Sequence, residues 1–299
     1  MRAAAGWAAA FAIGVLAWPV ATPAQPRTFQ KHVLAWADVR NGYQHESITH
    51  ALATIERLGY QSGLWDTTIR TDSQPITKHP ITFKVGTGIA TGEQFLARNL
   101  TYYDAIFFFG VREADLDAQQ KADLLSFVRD DGKGFVATHA GATGFFSWPE
   151  FGDMLGGRFD EHPWGITDAT VVVEDGTSPM SRHLPKTFVV NDEHYQLKDF
   201  SREKVHVLAH LDASTLDLTL PLVHRKDGDF PVAWTKSYGK GRVFTTALGH
   251  DVDQVQTLAF TTTFTRGAEW AATGNVTLPI PPAPPTAWPH CPRRRPWSG

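Results

Sequence analysis

Histidine and carboxylate side chains recur where strand-like segments of the sequence end. His45 follows the first such segment, His139 ends a later one, Asp192 and Glu193 end another, and His250 follows the last. Ligands of open α/β sheets bind outside the carboxyl ends of the strands, so these side chains are candidates for one site. Imidazoles and carboxylates in such a place can transfer protons or bind a metal ion.

His139 stands in a segment that has the pattern of a nucleophile elbow. The segment FVATHAGATG (135–144) contains a buried strand followed by a turn of small residues, and such a turn presents one side chain above the sheet. We interpret His139 as a catalytic residue, with Glu193 as a general acid or base. The alternative is a structural histidine at a strand end.

His45 directly precedes a helix predicted over 46–58. The dipole of a helix disfavours a protonated ring at its N-terminus and lowers the pKa of that ring. A neutral imidazole suits metal binding or general-base catalysis, so His45 is a catalytic candidate. A histidine that only caps the helix is the alternative interpretation.

A metal site is a further hypothesis for these residues. His45, His139 and His250 offer three nitrogen ligands and Glu193 offers a carboxylate, a set that suits one Zn²⁺ or a similar divalent ion. The four residues are far apart in the sequence, so their spacing alone does not support the site. The same set of residues also serves acid–base chemistry.

The order of predicted elements indicates the fold class. Strands at 32–38, 105–110 and 134–141 alternate with helices over 46–58 and 117–132. This order predicts an α/β fold with a mostly parallel sheet and helices on both faces. Further predicted features are a weaker strand at 61–66, a polar excursion or long loop at 67–90, and a short helix at 93–100.

In the second half of the chain, the sequence predicts antiparallel strand pairing. An antiparallel hairpin is predicted from 231–238 and 242–249, with its turn at Gly239 and Gly241, and a closing helix over 257–272. Strands are also predicted at 170–175, 187–192 and 205–212. After Gly274 the chain is rich in proline, which predicts an extended, disordered tail over 275–299.

The N-terminus has the pattern of an export signal. Arg2 precedes an apolar run over 3–20, and small residues around Ala24 suit a signal peptidase, so we predict a signal peptide over 1–24. The alternative is an uncleaved membrane anchor, because the run is nearly long enough to span a bilayer. After cleavage we expect a secreted or periplasmic protein without stable membrane insertion.

Composition excludes two classes of function. The formal net charge of −3 favours neither nucleic acid nor an anionic membrane as a partner. The single cysteine, Cys291, lies in the tail, so the body of the protein holds no cysteine nucleophile or zinc ligand.

Several segments together resemble the trehalose-utilization (ThuA-like) family. They are RNGYQHES (40–47), GFVATHAGATGFFSWPEFGDMLGGRFDEHPW (134–164), NDEHYQ (191–196) and FPVAWTKSYGKGRVFTTALGHD (230–251). The resemblance covers roughly residues 30–274 and implies a flavodoxin-like fold of the class I glutamine amidotransferase kind. In that fold the elbow holds a catalytic cysteine, whereas here it holds His139. Glutamine hydrolysis through a thioester is therefore excluded.

The resemblance also implies a sugar-binding surface. Asp160 and His162 match the family's F-D-x-H-P turn, and Trp148 and Trp164 offer aromatic faces beside it. We predict that these four residues bind substrate together with Asp192, which could alternatively orient a neighbouring histidine. A rigid surface loop is the other interpretation of the turn.

The family's link to trehalose and related disaccharides, including keto-sugars, implies a role in carbohydrate metabolism with a small carbohydrate as ligand. A hydrolase- or lyase-type enzyme is the first hypothesis. The alternatives are a carbohydrate-binding protein without catalysis and a module that binds a partner through its basic, proline-rich tail.

Overall fold

The structure, a computed structural model, describes residues 28–40, 42–86, 88–91, 98–110, 113 and 115–280. The predicted signal peptide, most of the predicted helix over 93–100, and residues 281–299 of the predicted tail lie outside these ranges. Among the described residues, no helix has the length and apolar character that crossing a bilayer requires.

In the first half of the chain, strands alternate with helices. The second half consists mainly of strands that pair antiparallel. The strands are β1 (Lys31–Trp36), β2 (Trp65–Arg70), β3 (Thr82–Val85), β4 (Gly88–Thr91), β5 (Ala105–Phe108), β6 (Gly134–Thr138), β7 (Arg158–Glu161), β8 (Ile166–Val173), β9 (Thr187–Glu193), β10 (Gln196–Lys198), β11 (His206–Leu211), β12 (Pro231–Tyr238) and β13 (Gly241–Thr246). The α-helices are α1 (Ser47–Ser62), α2 (Ala118–Arg129), α3 (Pro149–Leu155), α4 (Val252–Gln256) and α5 (Leu258–Thr273).

Nine of these strands form one sheet in the order β2-β1-β5-β6-β13-β12-β11-β8-β9. The first five strands in this order are parallel, and their succession is that of a flavodoxin-like sheet. The remaining four join through antiparallel pairs. The predicted fold class is therefore confirmed, including the hairpin formed by β12 and β13.

The central strands feed two hydrophobic cores, one on each face of the sheet. In β1, Val33 and Ala35 pack in one core while Leu34 and Trp36 pack in the other, because successive side chains of a strand point to opposite faces. Buried residues of α1 and α5 cover the first core, and those of α2 and α3 cover the second. Coverage on both faces explains the continuous apolar runs in the sequence.

The second strand differs from its prediction. Helix α1 continues to Ser62 and ends at Gly63, whose φ of 74° is left-handed, so β2 begins only at Trp65. The region predicted as a polar excursion, 67–90, instead contains the rest of β2 and the β3–β4 hairpin. The physical reason is that β2 lies at the edge of the sheet, where a strand accepts polar residues such as Thr67 and Thr68.

The chain beyond Gly274 is anchored to helix α5 by two buried charged residues. Glu269, 1 % exposed, accepts hydrogen bonds from the Thr277 amide and hydroxyl, each at 2.5 Å, and from the Leu278 amide at 3.1 Å. Arg266, also 1 % exposed, donates to the carbonyl of Leu278. Thr277 and Leu278 are therefore held to α5 by hydrogen bonds.

We expect truncation after Gly274 to lower the free energy of unfolding by about 2–4 kcal/mol, because Glu269 loses three charge-assisted hydrogen bonds. Truncation after Ile280 keeps those bonds and is the matched control. Chemical denaturation of both truncated chains and of the 299-residue chain measures the differences in the free energy of unfolding. Equal stability of the two truncated chains would contradict the anchoring role.

Candidate functional site

His139 forms the floor of the candidate site. It follows β6 directly and adopts a left-handed φ of 43°, a conformation that costs a non-glycine residue roughly 1–3 kcal/mol. Gly141 makes the tight turn possible, because a Cβ atom at that position would lie 2.2 Å from the Phe108 carbonyl oxygen. The sharp turn predicted from FVATHAGATG is thus present, and the His139 side chain is fully buried at its apex.

Three histidines converge at this elbow from three separate loops. The Nε2 atom of His139 lies 3.2 Å from Nε2 of His45 and 3.2 Å from Nδ1 of His250. His45 comes from the loop between β1 and α1, and His250 from the loop between β13 and α4. Ser47 joins these two loops by donating its hydroxyl to the His250 carbonyl at 2.7 Å.

Glu193, at the end of β9, completes the group. Its Oε2 atom lies 3.5 Å from Nε2 of His139 and 3.3 Å from Nδ1 of His250. One ligand atom from each of His45, His139, Glu193 and His250 lies within 4.8 Å of all the others. In the part of the chain that the structure describes, this is the one such group of histidine and acidic ligands.

In the cluster, the Glu193 carboxylate pairs with two closely packed imidazoles, those of His139 and His250. Burial opposes ionisation of Glu193, yet its hydrogen bonds to His139 and His250 hold its pKa well below the usual range. Burial also opposes protonation of His250, but the hydrogen bond to Glu193 raises the pKa of His250. Burial and then the charges of His139 and His250 lower the pKa of His45 to about 3, so His45 is neutral.

The donor set fits a divalent transition metal. Nδ1 of His139 lies 3.0 Å from the Ala247 carbonyl oxygen, which can only accept, so Nδ1 carries a proton and Nε2 is the nitrogen left to bind a metal. Zinc–nitrogen bonds of about 2.0–2.1 Å in a tetrahedron imply nitrogen separations of about 3.3–3.4 Å. The separations of 3.2 Å from His139 to His45 and to His250 are close to that value.

Asp192 fixes the backbone of the two segments that carry Glu193 and His250. Its buried carboxylate accepts hydrogen bonds from three backbone amides: Gly249 at 2.8 Å, His250 at 3.0 Å and Glu193 at 2.8 Å. Gly249 has a φ of 121°, which a residue with a side chain rarely adopts. Asp192 therefore positions two of the four candidate ligands through their backbones, and we assign it that role rather than substrate contact.

Tyr195 is a member of the site to which the sequence analysis gave no role. Its hydroxyl lies 2.7 Å from Nε2 of His139, and its ring stacks on the His139 ring with centroids 4.8 Å apart. Burial, and then the negative charge of Glu193, raises the pKa of Tyr195 well above its ordinary value, so the phenol stays protonated. Its position two residues after Glu193 was the available signal, because β9 ends there.

His162 is a half-exposed neighbour of the cluster. Its side chain is 46 % exposed, and its Nδ1 atom is 3.7 Å from Oε1 of Glu193. Of the residues predicted to bind substrate from the F-D-x-H-P turn, His162 is the one that the structure brings to the cluster.

Asp160 and Trp164 instead stabilise the surrounding loops. Asp160 accepts hydrogen bonds from Gln196 at 3.0 Å and from Nδ1 of His224 at 2.8 Å. Trp164 packs edge-on against Phe230, with ring centroids 4.9 Å apart. These contacts match the rigid-loop interpretation of the turn.

Trp148 is a core residue. It is 6 % exposed and packs against Phe145 and Phe151 in the second hydrophobic core. This packing places Trp148 in the core, and its role in binding substrate stays a prediction.

The fold and the cluster together define a class: a flavodoxin-like protein whose elbow carries a histidine within a candidate metal centre. Within that class, the chain belongs to the ThuA family, because the family's sequence model, described as trehalose utilisation, matches residues 32–271. No curated protein matches the chain significantly.

Solved structures with the same fold include two ThuA-like proteins. The one from Bacteroides uniformis is 21 % identical with a TM-score of 0.62, covering 87 % of this chain and 97 % of that chain. The one from Parabacteroides merdae is 20 % identical with a TM-score of 0.58, covering 84 % and 93 %. At these identities the likeness establishes the fold alone.

Replacement of Asp192 tests its positioning role. In Asp192→Asn an amide nitrogen takes the place of one carboxylate oxygen that now accepts from a backbone amide, so the loop that carries His250 shifts. We expect zinc affinity to fall by about 10–100-fold, as happens when groups that orient metal ligands are lost. Titration of metal-stripped protein against a competing chelator measures this change.

The matched control is Asp168→Asn, which alters an exposed carboxylate that pairs with Asn191 at 2.6 Å. Wild-type zinc affinity in Asp192→Asn, with the fold intact by circular dichroism, would refute the role given to Asp192.

Proposed function

We propose that this protein is a metal-dependent enzyme of carbohydrate metabolism, of hydrolase or lyase type, acting on a disaccharide or keto-sugar. The observation that supports the metal is the convergence of His45, His139, His250 and Glu193 within 4.8 Å. The observation that supports the carbohydrate is membership of a family described as trehalose utilisation. Glutamine amidotransfer is not part of the proposal, because His139 occupies the elbow.

The proposed roles of the residues follow from their positions. His45, His139 and His250, with Glu193, would hold a divalent metal such as Zn²⁺, whose chemistry when bound is polarisation of a sugar oxygen. His162 stands half-exposed beside Glu193, where it can exchange a proton between the ligand and solvent. Tyr195, as a protonated phenol, can donate a hydrogen bond within the site.

We also propose that the protein is exported. The support is the sequence pattern of 1–24: one positive residue, an apolar run and small residues before Gln25. Expression in a bacterium followed by mass spectrometry of the periplasmic fraction tests this. We expect a chain that begins at Gln25, whereas a full-length chain in the membrane fraction would indicate an uncleaved anchor.

Metal content is the decisive measurement for the proposed enzyme. We expect protein stripped of loosely bound ions to retain about one equivalent of a transition metal, and His139→Ala and His250→Ala to lose it, because each variant removes a nitrogen ligand. Elemental analysis measures the stoichiometry. His79→Ala is the matched control, since His79 is exposed in a loop outside the cluster.

Absence of metal from the wild-type protein, also after incubation with zinc, manganese, iron and cobalt, would overturn the metal centre. The carbohydrate role has its own readout. Incubation of the loaded protein with trehalose and with its 3-keto form, followed by product analysis, distinguishes an enzyme from a binding protein. Sugar affinity without product from either compound would favour carbohydrate binding alone.

A further inference from the structure

Tyr43 is an exposed aromatic residue in contact with two histidines of the candidate site. It lies two residues before His45, in the loop between β1 and α1, and is 71 % exposed. Its ring meets the His45 ring edge-on, with centroids 4.8 Å apart. It lies nearly parallel to the His250 ring, at a centroid distance of 6.2 Å and an interplanar angle of 14°. A solvent-exposed aromatic ring therefore adjoins two of the four candidate ligands.

Two other aromatic rings that contact the histidines belong to the interior of the protein. Phe109 contacts His45 and His139 but is fully buried. Tyr195, which stacks on His139, is 3 % exposed. Ligand sites combine aromatic side chains, which supply contact area, with a few polar groups that fix the orientation of the ligand. Of these three rings, Tyr43 is the one that can offer a face to a bound molecule.

Local contacts determine the course of the chain around Tyr43. Gly42 has a left-handed φ of 82°, a conformation that glycine adopts readily, and it turns the chain directly before the tyrosine. The side-chain amide of Gln44, directly after the tyrosine, donates to the Val39 carbonyl at 2.6 Å. A tyrosine has few rotatable bonds, so a ring that is already positioned loses little conformational entropy when a ligand binds.

The chemistry of this surface suits a sugar ring. A pyranose with equatorial hydroxyls, such as glucose, carries its hydroxyls around the edge of the ring and C–H groups on its faces. Packing of such a face on the tyrosine ring removes apolar surface from water, and the C–H groups meet the negative face of the aromatic ring. The hydroxyls at the edge of the sugar stay available for polar groups such as the Glu193 carboxylate, which pairs with His250.

We propose that Tyr43 is a substrate-binding residue that stacks on the C–H face of a glucopyranose ring and thereby holds the sugar beside the histidines. This inference rests on the proposed function, and it deepens that function by naming the kind of sugar ring and the side chain that recognises it. It assigns to Tyr43 a contact with substrate and no part in holding the metal.

The test is the affinity of Tyr43→Ala for trehalose, a disaccharide of glucose, and for its 3-keto form. We expect the variant to bind the sugar about tenfold more weakly than the wild type, because the contact with one sugar face is lost. Tyr43→Phe keeps the aromatic face, so its affinity should stay within about twofold of the wild type. Calorimetric titration measures the dissociation constants, and KM takes their place for a sugar that is turned over.

Tyr60→Ala is the matched control, because Tyr60 is also an exposed tyrosine. It lies near the end of α1, whose rise of about 1.5 Å per residue separates it by about 20 Å from the start of the helix beside His45. We expect its sugar affinity to equal that of the wild type.

Metal content distinguishes a substrate contact from a structural role. Tyr43→Ala should hold as much metal as the wild type by elemental analysis, and a loss of metal would mean that the ring only supports His45, which overturns the inference. Equal sugar affinity in the wild type and Tyr43→Ala would overturn the inference and leave the proposed function intact. Binding of neither sugar by the wild type would overturn the proposed carbohydrate role and this inference together.

Discussion

The buried carboxylate of Asp192 is the interaction on which the arrangement of the site depends. It stands on β9, at one edge of the nine-stranded sheet, and accepts backbone hydrogen bonds from the loop after β13, a strand of the parallel half. The antiparallel extension is thereby joined to the parallel half, and Glu193 is brought to the histidines. A buried charge without these amides would be strongly unfavourable, so the carboxylate and the loop stabilise each other.

A second constraint is the left-handed conformation of His139. The turn is unfavourable by itself, so it persists because the surrounding residues leave no alternative. Gly141 passes close to the Phe108 backbone, and the Ala247 carbonyl holds the imidazole ring. The result is one imidazole nitrogen presented above the sheet in a fixed orientation, at the position that a nucleophile takes in other elbows.

Much of this was predictable, because strong local patterns correspond to strong local structure. The apolar runs of β5 and β6 and the turn at His139 are patterns within one segment, so the parallel sheet and the elbow followed from them. The ligand atoms of His45, Glu193 and His250 meet only through tertiary packing, which spacing cannot express. Tyr195 was missed for the same reason, and the packing of Trp148 in the core was equally hidden from a pattern within one segment.

The packing of the cluster brings the nitrogens of three imidazoles close together. Nε2 of His139 lies 3.2 Å from a nitrogen of each of two other imidazoles, with the Glu193 carboxylate beside them. Nitrogens at that separation repel one another unless a proton or a metal ion lies between them. The low pKa of His45 keeps that ring neutral, but a neutral imidazole still carries one N–H, and the raised pKa of His250 favours a further proton in the cluster. The divalent ion proposed above would take the place of these protons between the converging nitrogens.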